Sequence, residues 1–127
     1  MNTKYNFNKV KLCDSLNDEK LKKLGFTNYY EPHWCFCRTI SRSKTDNFSE
    51  TFNLTIKENF TKMDIDILDE AFCQPFVPVC KYYMNECSFE SLTPYCQEAV
   101  KKCDEYIQFL VNNNVIYFEG IKEDICL

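Results

Sequence analysis

Three side chains that can bind metal stand close together near the first strand-like segment. His33, Cys35 and Cys37 alternate with apolar residues, so they share one face of a predicted strand. Structural zinc takes four nitrogen or sulfur ligands, for which Cys73 is the candidate fourth. Side chains at i and i+2 of a strand lie about 6.8 Å apart, too far to share an ion without a bend. We therefore expect thiols buried under a helix, with His33 at the strand entry, and no metal or other cofactor.

Recognised catalytic motifs are absent from the sequence. A thiol nucleophile needs a general base, and His33 is the only histidine. No serine-hydrolase elbow, phosphate-binding loop, zinc-protease helix or dinucleotide fingerprint occurs. With only Gly25 and Gly120 available, a loop that cradles phosphate is nearly excluded. We predict a protein that is not an enzyme and has no catalytic residues.

The densest acidic cluster lies near the middle of the chain. A two-metal nuclease would use such carboxylates, but strand alternation already explains Asp64 and Asp66 as solvent-facing residues. We expect the cluster to present carboxylates to Lys and Arg of a protein that normally holds nucleic acid. The predicted partner-binding residues are Asp64, Asp66, Asp69, Glu70, Tyr82, Tyr83, Glu86 and Glu90.

Charge is divided unevenly along the 127 residues. Residues 1–63 hold 11 basic and 7 acidic side chains, whereas residues 64–127 hold 4 basic and 12 acidic ones. Binding to duplex DNA requires a clustered basic surface, so we do not expect it. An acidic half favours a basic partner, although the same carboxylates could simply solvate the outer faces of their elements.

Aromatic side chains are more numerous than one core of this size is expected to hide. Tyr and Trp are favoured at protein interfaces, and the basic and glycine residues that accompany aromatics in RNA-binding sheets are missing. We therefore interpret the excess as a protein-binding surface. The aromatic residues in question are Tyr29, Tyr30, Trp34, Tyr82, Tyr83, Tyr95, Tyr106, Phe109, Tyr117 and Phe118.

The nine cysteines predict reduced thiols in the cytoplasm. Their number is odd and the N-terminus lacks the apolar core of a secretory signal, which argues against a disulfide framework. No apolar run has the length of a membrane helix. Cys73, Cys80 and Cys87 recur every seven residues, as do Cys96 and Cys103, which is typical of one helix face.

The hydrophobic periodicity predicts an α+β fold. We expect a single domain over residues 1–127, with a short helix over 14–24 capped by Asp14 or Ser15 and stopped by Gly25. Period-two alternation over 26–68 predicts an antiparallel sheet of three to four strands. A helical region over 78–113 follows, in which Thr93 and Pro94 begin a long amphipathic helix that covers one face of the sheet. The tail, 114–127, is predicted to add an edge strand over 115–118.

A resemblance supports a viral origin. The run Ile65-Asp66-Ile67-Leu68-Asp69-Glu70-Ala71-Phe72-Cys73-Gln74-Pro75-Phe76, preceded by Phe52-Asn53-Leu54-Thr55-Ile56, resembles small uncharacterised accessory proteins of bacteriophages and mobile elements of low-GC Gram-positive bacteria. The likeness covers about half of the chain, and residues 77–92 depart from it. Small acidic phage products of this kind are often inhibitors of host defence, including anti-CRISPR proteins.

These observations lead to one main hypothesis. The expected function is non-enzymatic inhibition of a bacterial immune nuclease in the cytoplasm of the infected host, by blocking nucleic-acid binding or activation. The expected partner is a host protein, a CRISPR effector or another defence protein that binds nucleic acid, and no membrane is involved. The alternatives are a small metal- or thiol-dependent enzyme and a phage structural or regulatory protein.

Overall fold

Nine helices and strands make up the part of the chain that the computed structural model describes, residues 5–28, 33–42, 49–69 and 74–120. Short 3₁₀ turns are present at Phe7–Lys9 and Phe89–Ser91. The fold is α+β, as expected. In chain order the elements are β1 (Val10–Leu12), α1 (Asp18–Lys23), β2 (Trp34–Arg42), β3 (Ser49–Lys57), β4 (Lys62–Asp69), β5 (Gln74–Pro75), α2 (Val77–Tyr83), α3 (Pro94–Asn112) and β6 (Ile116–Phe118).

The main sheet is an antiparallel meander in the order β2-β3-β4-β5. The predicted alternation is confirmed, because Phe36, Phe52 and Ile67 are buried on one face. Near its end β2 contains a register shift, so that Thr39 pairs with Thr51 but Ser41 pairs with Glu50. Such a bulge turns the side chains that follow it toward the opposite face of the sheet.

The long helix α3 covers the apolar face, as expected. Thr93 caps it, because its hydroxyl accepts a hydrogen bond from the Cys96 backbone N–H at 3.2 Å, and Pro94 takes the first helical position. Its buried stripe runs from Cys96 to Val111. Rings from helix and sheet meet there, since Tyr106 lies edge-on to Phe36 at 6.2 Å between centroids. Apolar burial between these layers supplies the main stabilising free energy.

The first helix is shorter than predicted. It begins at Asp18, and its N-cap is Asn17, whose side chain accepts a hydrogen bond from the Lys20 backbone N–H at 2.8 Å. The predicted N-cap positions are wrong because the chain before Asn17 pairs elsewhere: the Cys13 N–H donates to the Val115 carbonyl at 3.0 Å. The predicted stop is confirmed, since Gly25 follows the helix with a φ of +95°.

The C-terminal strand forms a second, smaller sheet. β6 pairs antiparallel with β1 in the register Val10 with Phe118 and Leu12 with Ile116. The strand predicted over 115–118 is therefore confirmed, but it pairs with the N-terminal segment instead of extending the main sheet. In the described residues, no helix combines the length and apolar character needed to cross a membrane.

The cysteines depart from two expectations. Cys96 and Cys103 do share the buried face of α3, but α2 ends at Tyr83, so Cys87 lies beyond the helix that was predicted to carry it with Cys80. Cys13 is disulfide-bonded, so the expectation of reduced thiols throughout is wrong at this position.

Candidate partner-binding surface

The outer face of the main sheet carries the predicted acidic residues. Strand alternation turns the apolar residues of β2, β3 and β4 toward α3 and leaves polar residues on the other side. Most of these outward side chains are exposed or half-buried, and Thr51 is buried. We call this the outer face, and it is formed by Cys35, Cys37, Thr39, Thr51, Asn53, Thr55, Lys57, Lys62, Asp64, Asp66 and Leu68.

Asp64 and Asp66 lie two residues apart on this face, and their electrostatic surroundings differ. The Lys57 ammonium forms an ion pair with Asp64, which raises the pKa of Lys57. Asp66 makes no ion pair with any described residue. Partial burial, and then the neighbouring Asp64 carboxylate, raise the pKa of Asp66. Asp66 is thus an exposed carboxylate whose charge a cation from outside would stabilise.

The thiols of β2 lie on the same face and form no metal-binding cluster with other described residues. Cys35 is half-buried, with its sulfur 3.9 Å from the Thr55 hydroxyl oxygen, and Cys37 is exposed. Both lie on the face away from α3, so the expectation of thiols buried under a helix is wrong. His33 precedes β2, as expected, and Cys73 lies outside the described residues. Among the described residues, no group of three or more His, Cys, Asp or Glu side chains could hold a metal ion.

The other predicted acidic contacts are spread over different elements. Asp69 ends β4 in register with Glu50 and is half-buried, on the opposite side of the strand from Asp64 and Asp66. Glu70 lies outside the described residues. Glu86 and Glu90 are exposed in the connection between α2 and α3. Asp64 and Asp66 are therefore the members of the predicted set that share one described surface.

The prediction that Tyr82 and Tyr83 contact a partner at the surface is wrong. Tyr82 is 8% exposed and Tyr83 is fully buried, because α2 packs them into the core. Trp34 and Phe118 are buried as well. Part of the apparent aromatic excess is thus used in packing, for example where the Phe7 ring stacks on Tyr83 at 4.5 Å.

Burial of Tyr83 creates a polar contact that sequence reasoning missed. Its hydroxyl donates to the Asp104 carboxylate at 2.6 Å and lies 3.1 Å from the Val100 carbonyl oxygen. Burial raises the pKa of Asp104 to about 6, although the Tyr83 hydrogen bond acts in the opposite direction. By residue type alone, Asp104 would be expected on the polar side of α3. Its spacing from Val100 and Ile107, four and three residues away, puts it at the edge of the apolar stripe.

A second carboxylate is enclosed at the end of the sheet. Glu50 is 6% exposed, and it accepts hydrogen bonds from the Ser41 hydroxyl at 2.7 Å and from the Tyr95 hydroxyl. The register shift in β2 brings Ser41 opposite Glu50. Burial and the bond to Glu50 raise the pKa of Tyr95. The one sequence signal for the burial of Glu50 is the alternation of β3, which puts Glu50 on the same side as Phe52.

Comparisons with known proteins bear on the fold. No protein-family model matches the sequence, and no curated protein matches it. The chain is similar to the crystal structure of a DUF1831 family protein from Lactobacillus plantarum, with a TM-score of 0.66 and 13% identity. The alignment covers 87% of this chain and 86% of that one. The likeness shows the fold alone.

The polar groups of the outer face could bind a partner. It presents carboxylate, ammonium, amide, hydroxyl and thiol groups on a pleated surface, where Lys57 forms an ion pair with Asp64. Ion pairs between exposed groups are individually weak, so binding here would require several contacts made together.

Proposed function

We propose that this protein is a non-enzymatic inhibitor of a bacterial immune nuclease, acting in the cytoplasm of a phage-infected host. Asp64 and Asp66 on the outer face bind a basic surface that the nuclease uses for nucleic acid. Occupation of that surface blocks nucleic-acid binding or activation. The partner is a CRISPR effector or another defence protein that binds nucleic acid.

The observation that carries this proposal is the exposed carboxylate of Asp66, which forms no ion pair with a described residue, beside the ion-paired Asp64. A partner Arg or Lys would form a direct ion pair with Asp66, on which Lys57 acts only as a neighbouring charge, and charge-assisted hydrogen bonds to carboxylates are among the stronger polar contacts. Electrostatic attraction would also speed association with a positively charged groove.

The division of charge and the resemblance to phage accessory proteins support the same proposal. The half of the chain that begins at Asp64 carries 12 acidic against 4 basic side chains. This excess of negative charge suits a surface that normally attracts phosphate. The resemblance adds the genomic setting in which such inhibitors occur.

The experiment is a phage challenge in a Gram-positive host whose CRISPR system targets that phage. Expression of the wild-type protein should restore plaque formation. The double reversal Asp64→Lys/Asp66→Lys should abolish the restoration, because it turns attraction into repulsion at the contact. Plaque counts with matched expression levels give the result.

A control reversal keeps the change in net charge the same. Glu98 and Glu119 are exposed and each is ion-paired with one lysine, so Glu98→Lys/Glu119→Lys should leave protection intact. Failure of the wild type to protect in any immune host would contradict the proposed function. Equal loss of protection in both double variants would contradict the assignment to the outer face.

A further inference from the structure

A pocket of about 390 Å³ opens between α1 and the C-terminal end of α3, remote in sequence from the acidic strand β4. Its volume falls within the range of small-ligand sites. Amide and ammonium groups supply most of its polar character. The pocket, which we call the α1 pocket, is lined by Asn17, Glu19, Lys20, Lys23, Leu24 and Asn113.

The α1 pocket has an excess of positive charge. The Lys20 ammonium donates to the Asn114 carbonyl at 3.0 Å and lies 3.4 Å from the Ser15 hydroxyl oxygen, both of which are neutral groups. Neither Lys20 nor Lys23 makes an ion pair with any described residue. Two ammonium groups thus face one carboxylate, Glu19, and the pocket favours an anion.

An aromatic stripe on α3 leads to this pocket. Lys102, Tyr106, Phe109 and Asn113 follow one another at spacings of four, three and four residues, so they lie on one face of the helix. We call this set the α3 stripe. Phe109 is 39% exposed although one side of its ring stacks on Phe36 at 5.9 Å between centroids. The stripe spans about 16 Å along the helix axis.

Two cations lie against aromatic rings in this region. The Arg38 guanidinium carbon lies 4.0 Å from the Phe36 ring centroid, and its nitrogens donate to the backbone carbonyls of Cys37 and Gly25. Lys102 lies 5.5 Å from the Tyr106 ring centroid and also pairs with Glu105 at 3.3 Å. The exposed Phe109 ring lies on one helix face with Lys102 and leads to a pocket lined by two more lysines, which suits a ligand that carries both phosphate and a flat base.

We propose that the α1 pocket and the α3 stripe bind nucleotide units of a single-stranded nucleic acid. Phosphates contact Lys20 and Lys23, and a base stacks on Phe109. An acidic peptide would satisfy the lysines but would leave the ring without a stacking partner. This inference is independent of the proposed function, because the residues of the outer face take no part in it.

The experiment measures fluorescence anisotropy of a labelled 12-nucleotide single-stranded RNA and its DNA counterpart, using the full chain. At 50 mM salt, Lys20→Gln/Lys23→Gln should weaken binding about tenfold or more and reduce the salt slope by about 1.4, since two phosphate contacts are lost. Phe109→Leu keeps an apolar side chain over Phe36 and should weaken binding about 5-fold to 100-fold through lost stacking.

The matched control is Lys81→Gln/Lys101→Gln, which removes two exposed lysines that do not line the pocket. It should bind as the wild type does, and thermal unfolding of every variant checks that it folds. No binding of either oligonucleotide at 50 mM salt would overturn the proposal. Equal weakening of oligonucleotide binding by the two double-lysine variants would also overturn it. The same holds if polyglutamate binds in a way that depends on Lys20 and Lys23 while neither oligonucleotide binds.

Discussion

Carboxylates of this domain lie in two contrasting environments. On the outer face, Asp64 and Asp66 are exposed, and the described contact of Asp64 is the flexible ammonium of Lys57. On the helical side, Asp104 and Glu50 are half-buried or buried and receive hydrogen bonds from tyrosine hydroxyls. The same residue type thus contributes an accessible charge in one region and part of the packing in the other.

Whether a carboxylate is enclosed or exposed determines what its removal should change. An enclosed carboxylate must be hydrogen-bonded, and removing its partner leaves a desolvated group without compensation. An exposed carboxylate remains hydrated, so its removal costs the fold little and is felt mainly by whatever binds it. Substitutions in the enclosed set should therefore change stability, and substitutions in the exposed set should change binding.

The largest effect on stability is expected at the hydrogen bond between Tyr83 and Asp104. Tyr83→Phe keeps the ring against Phe7 but removes the hydroxyl bonded to Asp104 and near the Val100 carbonyl, and it should lower the free energy of unfolding by about 2 kcal/mol. Urea denaturation measures the loss. Tyr106→Phe is the control, since that hydroxyl bonds one carbonyl at the edge of the sheet. If Tyr83→Phe lowers the free energy of unfolding by less than about 0.5 kcal/mol, the enclosed carboxylate does not contribute to stability in the way that distinguishes it from the exposed ones.

The next effect is on the pH dependence of stability. Folding raises the pKa of Asp104 to about 6, so the native state binds its proton more tightly than the unfolded chain does. The stability contributed at this site is complete below the unfolded pKa, about 4, falls between pH 4 and 6, and is constant above. Asp104→Asn should therefore remove a decline in melting temperature centred between those values. An unchanged profile would mean that Asp104 is solvated.

The smallest effect on stability is expected at the exposed carboxylate of Asp66. Because its pKa is raised, Asp66 bears its charge at a slight cost to the folded state at neutral pH. Asp66→Asn should change the free energy of unfolding by less than about 0.5 kcal/mol, toward greater stability. Urea denaturation at pH 7 gives the value. A destabilisation above about 1 kcal/mol would show that Asp66 belongs with the enclosed set.

Regular features of the fold were predictable from local patterns. Alternation in β3 and β4 assigned Phe52 and Ile67 to the core and Asp64 to the outer face, and Thr93 and Pro94 marked the start of α3. These features follow from the strand and helix periods and from capping chemistry, which act over a few residues.

Features set by distant contacts were not predictable. Asp14 and Ser15 are suitable N-caps by residue type, but pairing of the preceding chain with residue 115 moves the N-cap to Asn17. The pocket that buries Tyr83 is formed by α2, α3 and the N-terminal segment together. Ser41 meets Glu50 only because of a one-residue register shift. Each depends on tertiary pairing that a single sequence does not display.

The most direct test of the central claim measures binding between the purified protein and the immune nuclease of a host in which it restores plaque formation, by titration calorimetry at 50 and 200 mM salt. Outer-face recognition predicts that wild-type affinity falls as salt rises, because opposite charges meet across the contact. Asp64→Lys/Asp66→Lys should lose binding while Glu98→Lys/Glu119→Lys retains it. Equal, salt-independent affinity for the wild type and both variants would contradict the claim.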